Sequence, residues 1–213
     1  MTGRPGILAL TGGIATGKTT VAERLRSRWR FAVVDADELA RRAVAPGSGA
    51  IAAIAARYGS DILLPSGQLD RSRLGAIIFA DPQERAWLEG QIHPFVRDRL
   101  AAAADAWKRG DGESEWFTGG DRAIVLVVPL LYETGMETLA DAVWVVGCDR
   151  ETQLRRLMDR NHLDHAAAEA RLNSQWPLGE KIARADLLIS NDGTEQDLRD
   201  RVDQAAATWL GQP

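Results

Sequence analysis

The chain has 213 residues, 45% of them hydrophobic and 26% charged, with a formal net charge of −4; this suits one good soluble core with room for an excursion and excludes a general nucleic-acid binder, which needs a basic surface. Cys148 is the only cysteine, which excludes an internal disulfide and a cysteine-based metal site. The longest strongly apolar run, Ile124 to Leu131, is too short to cross a bilayer, and the N-terminal residues lack a signal-peptide layout, so a cytoplasmic protein with no membrane partner is expected.

The first predicted element is a short buried strand, Ile7–Thr11, all apolar until its end. It runs into Gly12-Gly13-Ile14-Ala15-Thr16-Gly17-Lys18-Thr19, which matches the pattern G-x-x-x-x-G-K-S/T of phosphate-binding loops. Gly12, Gly13 and Gly17 let backbone N–H groups turn inward around a phosphate. Lys18 supplies an ammonium for the β/γ-phosphates, and the Thr19 hydroxyl is the expected Mg²⁺ ligand. Thr20 follows on the first turn of a helix, whose positive end faces the same anion, and Val21, Leu25 and Trp29 continue it at helical spacing. The chain has three lysines, Lys18, Lys108 and Lys181, against 23 arginines, so a lysine here points to a need for a compact charge.

A second strand, Phe31–Asp35, ends in Val-Val-Asp-Ala-Asp. The carboxyl end of a parallel strand borders the ligand crevice, and continued extension would put Asp35 and Asp37 on one side. One of them would accept the proton of an attacking hydroxyl and the other would hold a Mg²⁺-bound water or orient the turn; alternatively, one is only the N-cap of a helix starting near Glu38. Helical pattern follows over Asp37–Val44, Ser48–Tyr58, Asp70–Phe79, Pro82–Gln91 and Pro94–Lys108, with Pro82 and Pro94 at first-turn positions and Asp81 and His93 as caps. Gly110 to Gly120 reads as a polar surface loop with two aromatics.

Strand three, Ala123–Val128, runs into Pro129 with no acid before Glu133. The metal carboxylate of switch and motor NTPases is thus missing from its usual place, which leaves the carboxylate work to Asp35 or Asp37. Strand four, Ala142–Gly147, and strand five, Asp186–Ser190, bracket an arginine-rich helical stretch in which Arg156 and Arg160 are four apart and share a face. Two guanidiniums suit a transferring phosphoryl group; the alternative is a solvated face with Asp159 or Glu151 as partner. Five apolar strands alternating with helices predict an α/β fold, the three-layer P-loop NTPase architecture with a five-stranded, mostly parallel sheet. One kinase domain is expected over 1–213, with its core at about 1–37, 121–150 and 181–213. A helical insert at about 38–120 would hold the phosphoryl acceptor, and a small helical lid at about 151–180 would close over the triphosphate and exclude water.

Together these features resemble one family, the dephospho-coenzyme A kinases. The residues carrying the resemblance are Leu-Thr-Gly-Gly-Ile at the loop, Val-Asp-Ala-Asp with Ala40-Arg41, Pro46-Gly47, His93-Pro94, Val-Pro-Leu-Leu with Glu133, Arg171 with Gln175, and Ala185-Asp186 leading to Asn191 and Gly193. The resemblance implies phosphoryl transfer from ATP to the ribose 3′-hydroxyl of dephospho-coenzyme A, with Mg²⁺, as the last step of coenzyme A synthesis. It implies Asp37 as general base, the long insert as acceptor-binding part, the Arg-rich insert as lid and Asn191 on the approach to the adenine; the residues themselves add Lys18, Arg156 and Arg160 as catalytic candidates, Gly12 through Thr20 around the phosphates, and Thr19 and Asp35 toward the metal. ATP and dephospho-CoA are the expected partners of a monomer or weak homo-oligomer, with no nucleic acid. Another P-loop small-molecule kinase, acting on a nucleoside, nucleotide or shikimate-like acceptor, is the alternative; a nucleotide-dependent switch would need a base-reading motif that is not seen. The sequence departs from the family at Ala15-Thr16, where Gly-Ser is common, and at Asn161, where an acid usually follows Arg160. A left-handed residue 15 would cost an alanine about 1 kcal/mol.

Overall fold

All five apolar runs form strands in the computed structural model, which describes residues 6–212. They are β1 (Ile7–Gly12), β2 (Phe31–Asp35), β3 (Ala123–Val127), β4 (Ala142–Gly147) and β5 (Leu187–Ser190). Their order in the sheet is β2-β3-β1-β4-β5, and every pairing is parallel. The central strand explains its own composition: Ile7, Leu8, Ala9 and Leu10 are all fully buried, so no polar alternation is tolerated. The chain runs to one side of β1 for β2 and β3 and crosses to the other for β4 and β5, so the order reverses at β1. The crevice beyond the carboxyl end of such a strand is where open α/β sheets bind ligands.

One face of the sheet is covered by α1 (Lys18–Trp29) and α9 (Glu195–Trp209). Val21, Leu25 and Trp29 from α1 and Leu198, Val202 and Ala206 from α9 meet Leu8, Leu10, Val125, Val127, Trp144 and Val146 in one cluster. Each fully buried Val or Leu there contributes about 1.5–3 kcal/mol. The two helices are also joined through Asp203, which accepts from Arg24 Nε at 2.9 Å and from Trp29 Nε1 at 2.7 Å. The Arg24 hydrogen bond holds the Asp203 carboxyl below the usual carboxylate range. The Gly110–Gly120 stretch has neither helix nor strand but is not merely a surface loop: Phe117 is buried edge-on against Trp107, with ring centroids 5.2 Å apart.

Contacts divide the chain into two compact units, one made of the residues up to Asp35 and from Ala102 onward, the other of Ala36–Ala101. The second unit holds α2 (Ala36–Ala43), α3 (Gly49–Tyr58), α4 (Arg71–Ala80) and most of α5 (Pro82–Arg109). Its own core is Val44, Ile51, Ile54, Ile62, Leu69, Leu74 and Leu88. Ser48 and Asp70 cap α3 and α4 through Ile51 N and Arg73 N. Arg57 forks onto Glu84 at 2.7 and 2.8 Å and lies 4.6 Å from the Trp87 ring centroid, and Tyr58 donates to the same carboxylate at 2.6 Å. These donors pull the Glu84 carboxyl down to about 2.

One expectation fails here. His93-Pro94 is not a helix boundary, because α5 runs unbroken from Pro82 to Arg109 with Pro94 inside it. Proline in a helix interior loses the bond to residue i−4 and crowds that residue's carbonyl. Here residue i−4 is Gly90, with open space around it, and the helix is long enough to lose one hydrogen bond and continue. Asp81 does cap the start, accepting from Gln83 N at 2.7 Å.

Candidate active site

The loop expected to bind phosphate joins β1 to α1 and closes on itself. Thr16 is fully buried, and its hydroxyl donates to Gly13 O at 2.9 Å. Lys18 Nζ lies over the loop, donating to Gly12 O at 3.0 Å and Gly13 O at 2.7 Å. Gly17 has φ 99°, and a Cβ there would stand 2.3 Å from the Asn191 amide nitrogen; at Gly12, with φ 147°, it would stand 2.2 Å from Val146 O. Only glycine fits either place. Ala15 has φ 60°, so this alanine does occupy the left-handed region. Ala15→Gly relieves roughly 1–2 kcal/mol of backbone strain against about 0.4–1 kcal/mol of added unfolded-state entropy. The expected outcome is a gain in stability of up to about 1 kcal/mol, read by thermal unfolding, and a lowered melting temperature would contradict it.

Three amide side chains from distant parts of the chain hold this loop. Gln153 donates from Nε2 to Ile14 O at 2.8 Å, and Gln175 accepts at Oε1 from Ile14 N at 2.9 Å. Asn191 donates from Nδ2 to Thr16 O at 2.8 Å. Gln153 lies on α6 (Arg150–Asn161), capped by Asp149 through Thr152 N; Gln175 lies between α7 (His165–Asn173) and α8 (Leu178–Ala183). The lid stretch therefore grips a single loop residue, Ile14, from both of its ends. A cavity of about 500 Å³ opens beside it, lined by Gly13, Cys148, Gln153, Gln175, Trp176 and Leu178 among others. Burial pushes the Cys148 thiol up, against the pull of the nearby Arg156 guanidinium.

The two lid arginines diverge in their surroundings. Arg156 donates from Nη2 to Asn191 O at 3.1 Å, and its Nη1 is buried with no hydrogen-bond partner. Arg160 is exposed and donates from Nε to Asn161 Oδ1 at 2.9 Å; the amide at position 161 takes the place of an acid. His162 is the left-handed C-cap of α6 and His165 starts α7, both exposed.

The two aspartates after strand two do not continue in extended form. The chain turns helical at Ala36, so Asp35 is the last residue of β2 and half-buried, while Asp37 is exposed in the first turn of α2, in the second compact unit. With α2 beginning before Glu38, Asp37 sits inside the helix rather than at its N-cap, where a carboxylate favours the positive end of the helix.

Sequence reasoning missed Gln153 on the loop and a second group beyond β3. Lys181 is fully buried, with Nζ 2.7 Å from Glu133 Oε1 and 3.0 Å from Pro129 O. Glu133 Oε1 also accepts from Trp176 N at 3.1 Å, and its Oε2 is buried without a partner. Tyr132 donates to Arg184 O at 3.0 Å and stacks on Trp176, whose ring centroid lies 4.8 Å from the Arg184 guanidinium. The scarcity of lysine that singled out Lys18 applied equally to Lys181.

Comparison with known proteins agrees with this geometry. A family model described as dephospho-CoA kinase matches residues 6–197. A dephospho-CoA kinase of Gloeobacter violaceus is 49% identical over 199 residues, covering 93% of this chain and 90% of that protein. One of Synechococcus elongatus is 46% identical over 198 residues, with the same coverage of each. Among solved structures, a Thermus thermophilus protein superposes with a TM-score of 0.75 at 31% identity over 96% of this chain and 97% of its own. The dephospho-CoA kinase of Campylobacter jejuni superposes with a TM-score of 0.66 at 26% identity over 95% and 96%. A shikimate kinase of Bacteroides thetaiotaomicron, at 12% identity and a TM-score of 0.52, shares the fold alone. With the motif, the sheet order and relatives spanning nearly the whole chain in accord, this chain belongs to the dephospho-CoA kinase family.

Proposed function

We propose that this protein transfers the γ-phosphoryl group of ATP to the ribose 3′-hydroxyl of dephospho-coenzyme A, giving coenzyme A and ADP, the last step of coenzyme A synthesis. The observation that carries this reading is the glycine-shaped loop at the reversal of the sheet order, with Lys18 already over it. In this reading Gly12 through Thr20 line the triphosphate, and Lys18 leaves the loop carbonyls for the anionic phosphates. Asn191 keeps the loop's shape through Thr16 and marks the approach to the adenine. Asp37 takes the proton of the 3′-hydroxyl, and the helical insert at about 38–120 supplies the acceptor site.

Among the described residues no three His, Cys, Asp or Glu side chains cluster as a metal cage. A Mg²⁺ that enters with the triphosphate needs only one or two oxygen ligands from the protein. The exposed Thr19 hydroxyl on the first turn of α1 fits that donor set, with Asp35 as the carboxylate. The ion would neutralise charge on the phosphates. No described helix is long and apolar enough to cross a membrane, and we place the enzyme in the cytoplasm, as a monomer or weak homo-oligomer.

Arg156 is the stronger of the two lid candidates, because its guanidinium carries a buried nitrogen without an acceptor, a donor that phosphate oxygens would satisfy. Arg156→Ala is expected to lower kcat by about 10²–10³-fold and to leave the KM for dephospho-CoA nearly unchanged; Arg160→Ala is expected to do the same more weakly. Steady-state kinetics at varied acceptor concentration separates the two effects, and parental rates in both variants would make these arginines ordinary surface charges. The reading as a whole is tested by ADP release with ATP present, comparing dephospho-CoA with nucleosides, shikimate and no acceptor. Equal release with and without dephospho-CoA would overturn it.

A further inference from the structure

Glu133 sits beyond the end of β3, far from the loop in sequence, yet two hydrogen bonds connect them. Its Oε1 accepts from Trp176 N at 3.1 Å, which fixes the peptide between Gln175 and Trp176. The Gln175 side chain then accepts from Ile14 N at 2.9 Å. Lys181 pins the same Oε1 at 2.7 Å and is itself held by Pro129 O, which also accepts from Thr11 Oγ1 at 3.3 Å. A lysine with no exposure and a carboxylate with one oxygen left unpartnered are a costly arrangement for stability alone, since apolar residues of similar volume often serve as well or better. Such a cost, placed one peptide away from a loop contact, points to a task.

We propose that Glu133, held by Lys181, is a positioning residue that sets the geometry of the phosphate loop through Gln175. The pair carries no substrate. It fixes the return limb of the lid so that Gln175 meets Ile14, while Gln153 holds the carbonyl of the same residue. The readouts rest on the kinase reading above, and nucleotide affinity measured without turnover keeps the two separable.

The experiment compares the parent with Glu133→Leu/Lys181→Met, with Glu133→Gln/Lys181→Met, with Gln175→Met, and with the triple variant combining Glu133→Leu, Lys181→Met and Gln175→Met. The Leu/Met pair removes both charges together and so should fold. It is expected to lower kcat/KM for ATP by about 10- to 100-fold, the scale of a misplaced reacting group, with the KM for dephospho-CoA unchanged. Glu133→Gln in the same background restores an acceptor for Trp176 N and should recover most of the loss. Gln175→Met should match the Leu/Met pair, and the triple variant should be no worse, because residues acting in series do not add. Binding of a non-hydrolysable ATP analogue, measured by calorimetry, should follow the same order. Parental kinetics in the Leu/Met pair, equal behaviour of the Leu and Gln forms, or losses that multiply in the triple variant would each overturn the proposal. Should the Leu/Met pair fail to fold, Glu133→Asp replaces it in the cycle, since it keeps the charge opposite Lys181 but draws the carboxylate back from Trp176. A parent that binds the analogue but transfers no phosphate to dephospho-CoA counts against the kinase reading, and the affinities still decide the coupling.

Discussion

Lys18→Ala is expected to give a folded protein whose kcat is lower by about 10³-fold or more. The side chain adds little to the core: its ammonium touches the carbonyls of Gly12 and Gly13, and none of the large apolar clusters includes it. What it supplies is a positive charge that follows the phosphoryl group as its equatorial oxygens gather charge in the transition state. Lys18→Arg should be nearly as damaging. A planar guanidinium fork cannot fill the place of a compact ammonium, and a chain with 23 arginines and three lysines keeps lysine here for that reason. Turnover and thermal melting measured together decide the matter: near-parental turnover in either folded variant would end the phosphate-loop assignment.

Asp37→Asn is the second large effect. A ribose 3′-hydroxyl ionises far above neutral pH, so a positioned carboxylate that accepts its proton lowers the barrier by about 10²–10⁴-fold in rate. Asparagine keeps the size and the hydrogen bonding but cannot take the proton. The loss should therefore fall on kcat, with ATP affinity little changed. The side chain is exposed in the first turn of α2, so losing its charge at the helix end should cost no more than about 1 kcal/mol and leave the protein folded. Asp35→Asn is expected to be milder and partly restored by added Mg²⁺ if Asp35 helps hold the ion. Kinetics on both variants across a Mg²⁺ series separates the roles, and phosphate transfer at the parental rate by Asp37→Asn would reduce that residue to a contact with the helix end or the sugar.

The features that could be read from sequence were those written in local pattern. Five runs of Val, Ile and Leu became five parallel strands because a sheet covered on both faces tolerates no polar alternation, and the phosphate loop announced itself through glycine spacing. Asp81 was legible as a cap for the same local reason, whereas Ser48 and Asp70, read as first helical residues, turn out to be caps. What escaped was set by partners far along the chain. Nothing near Ile14 announces Gln153 or Gln175, and nothing near Glu133 announces Lys181, because these meetings depend on how α6 and α8 fold back on the sheet. Pro94 misled for a different reason. The rule that proline ends a helix holds only when the surroundings offer no compensation, and a 28-residue helix with glycine at position 90 supplies it. Ala15 stood out in the sequence as an alanine where glycine is common, but only the backbone shows that it is left-handed, since φ leaves no mark in composition.

The placement of β1 has a consequence for how the enzyme is made. The phosphate loop is synthesised well before the neighbours that β1 pairs with, which come only at Ile124 and Ala142, across which Ile7 and Leu8 pair. During synthesis at roughly 5–20 residues per second, this largely apolar strand therefore waits on the order of ten seconds beside an unfinished chain. Pairings so distant in sequence are slow to form even after release. A nascent chain stopped before β4 would carry the entire nucleotide motif without Gln153, Gln175 and Asn191, so the side chains that hold the loop arrive only with the second half of the chain.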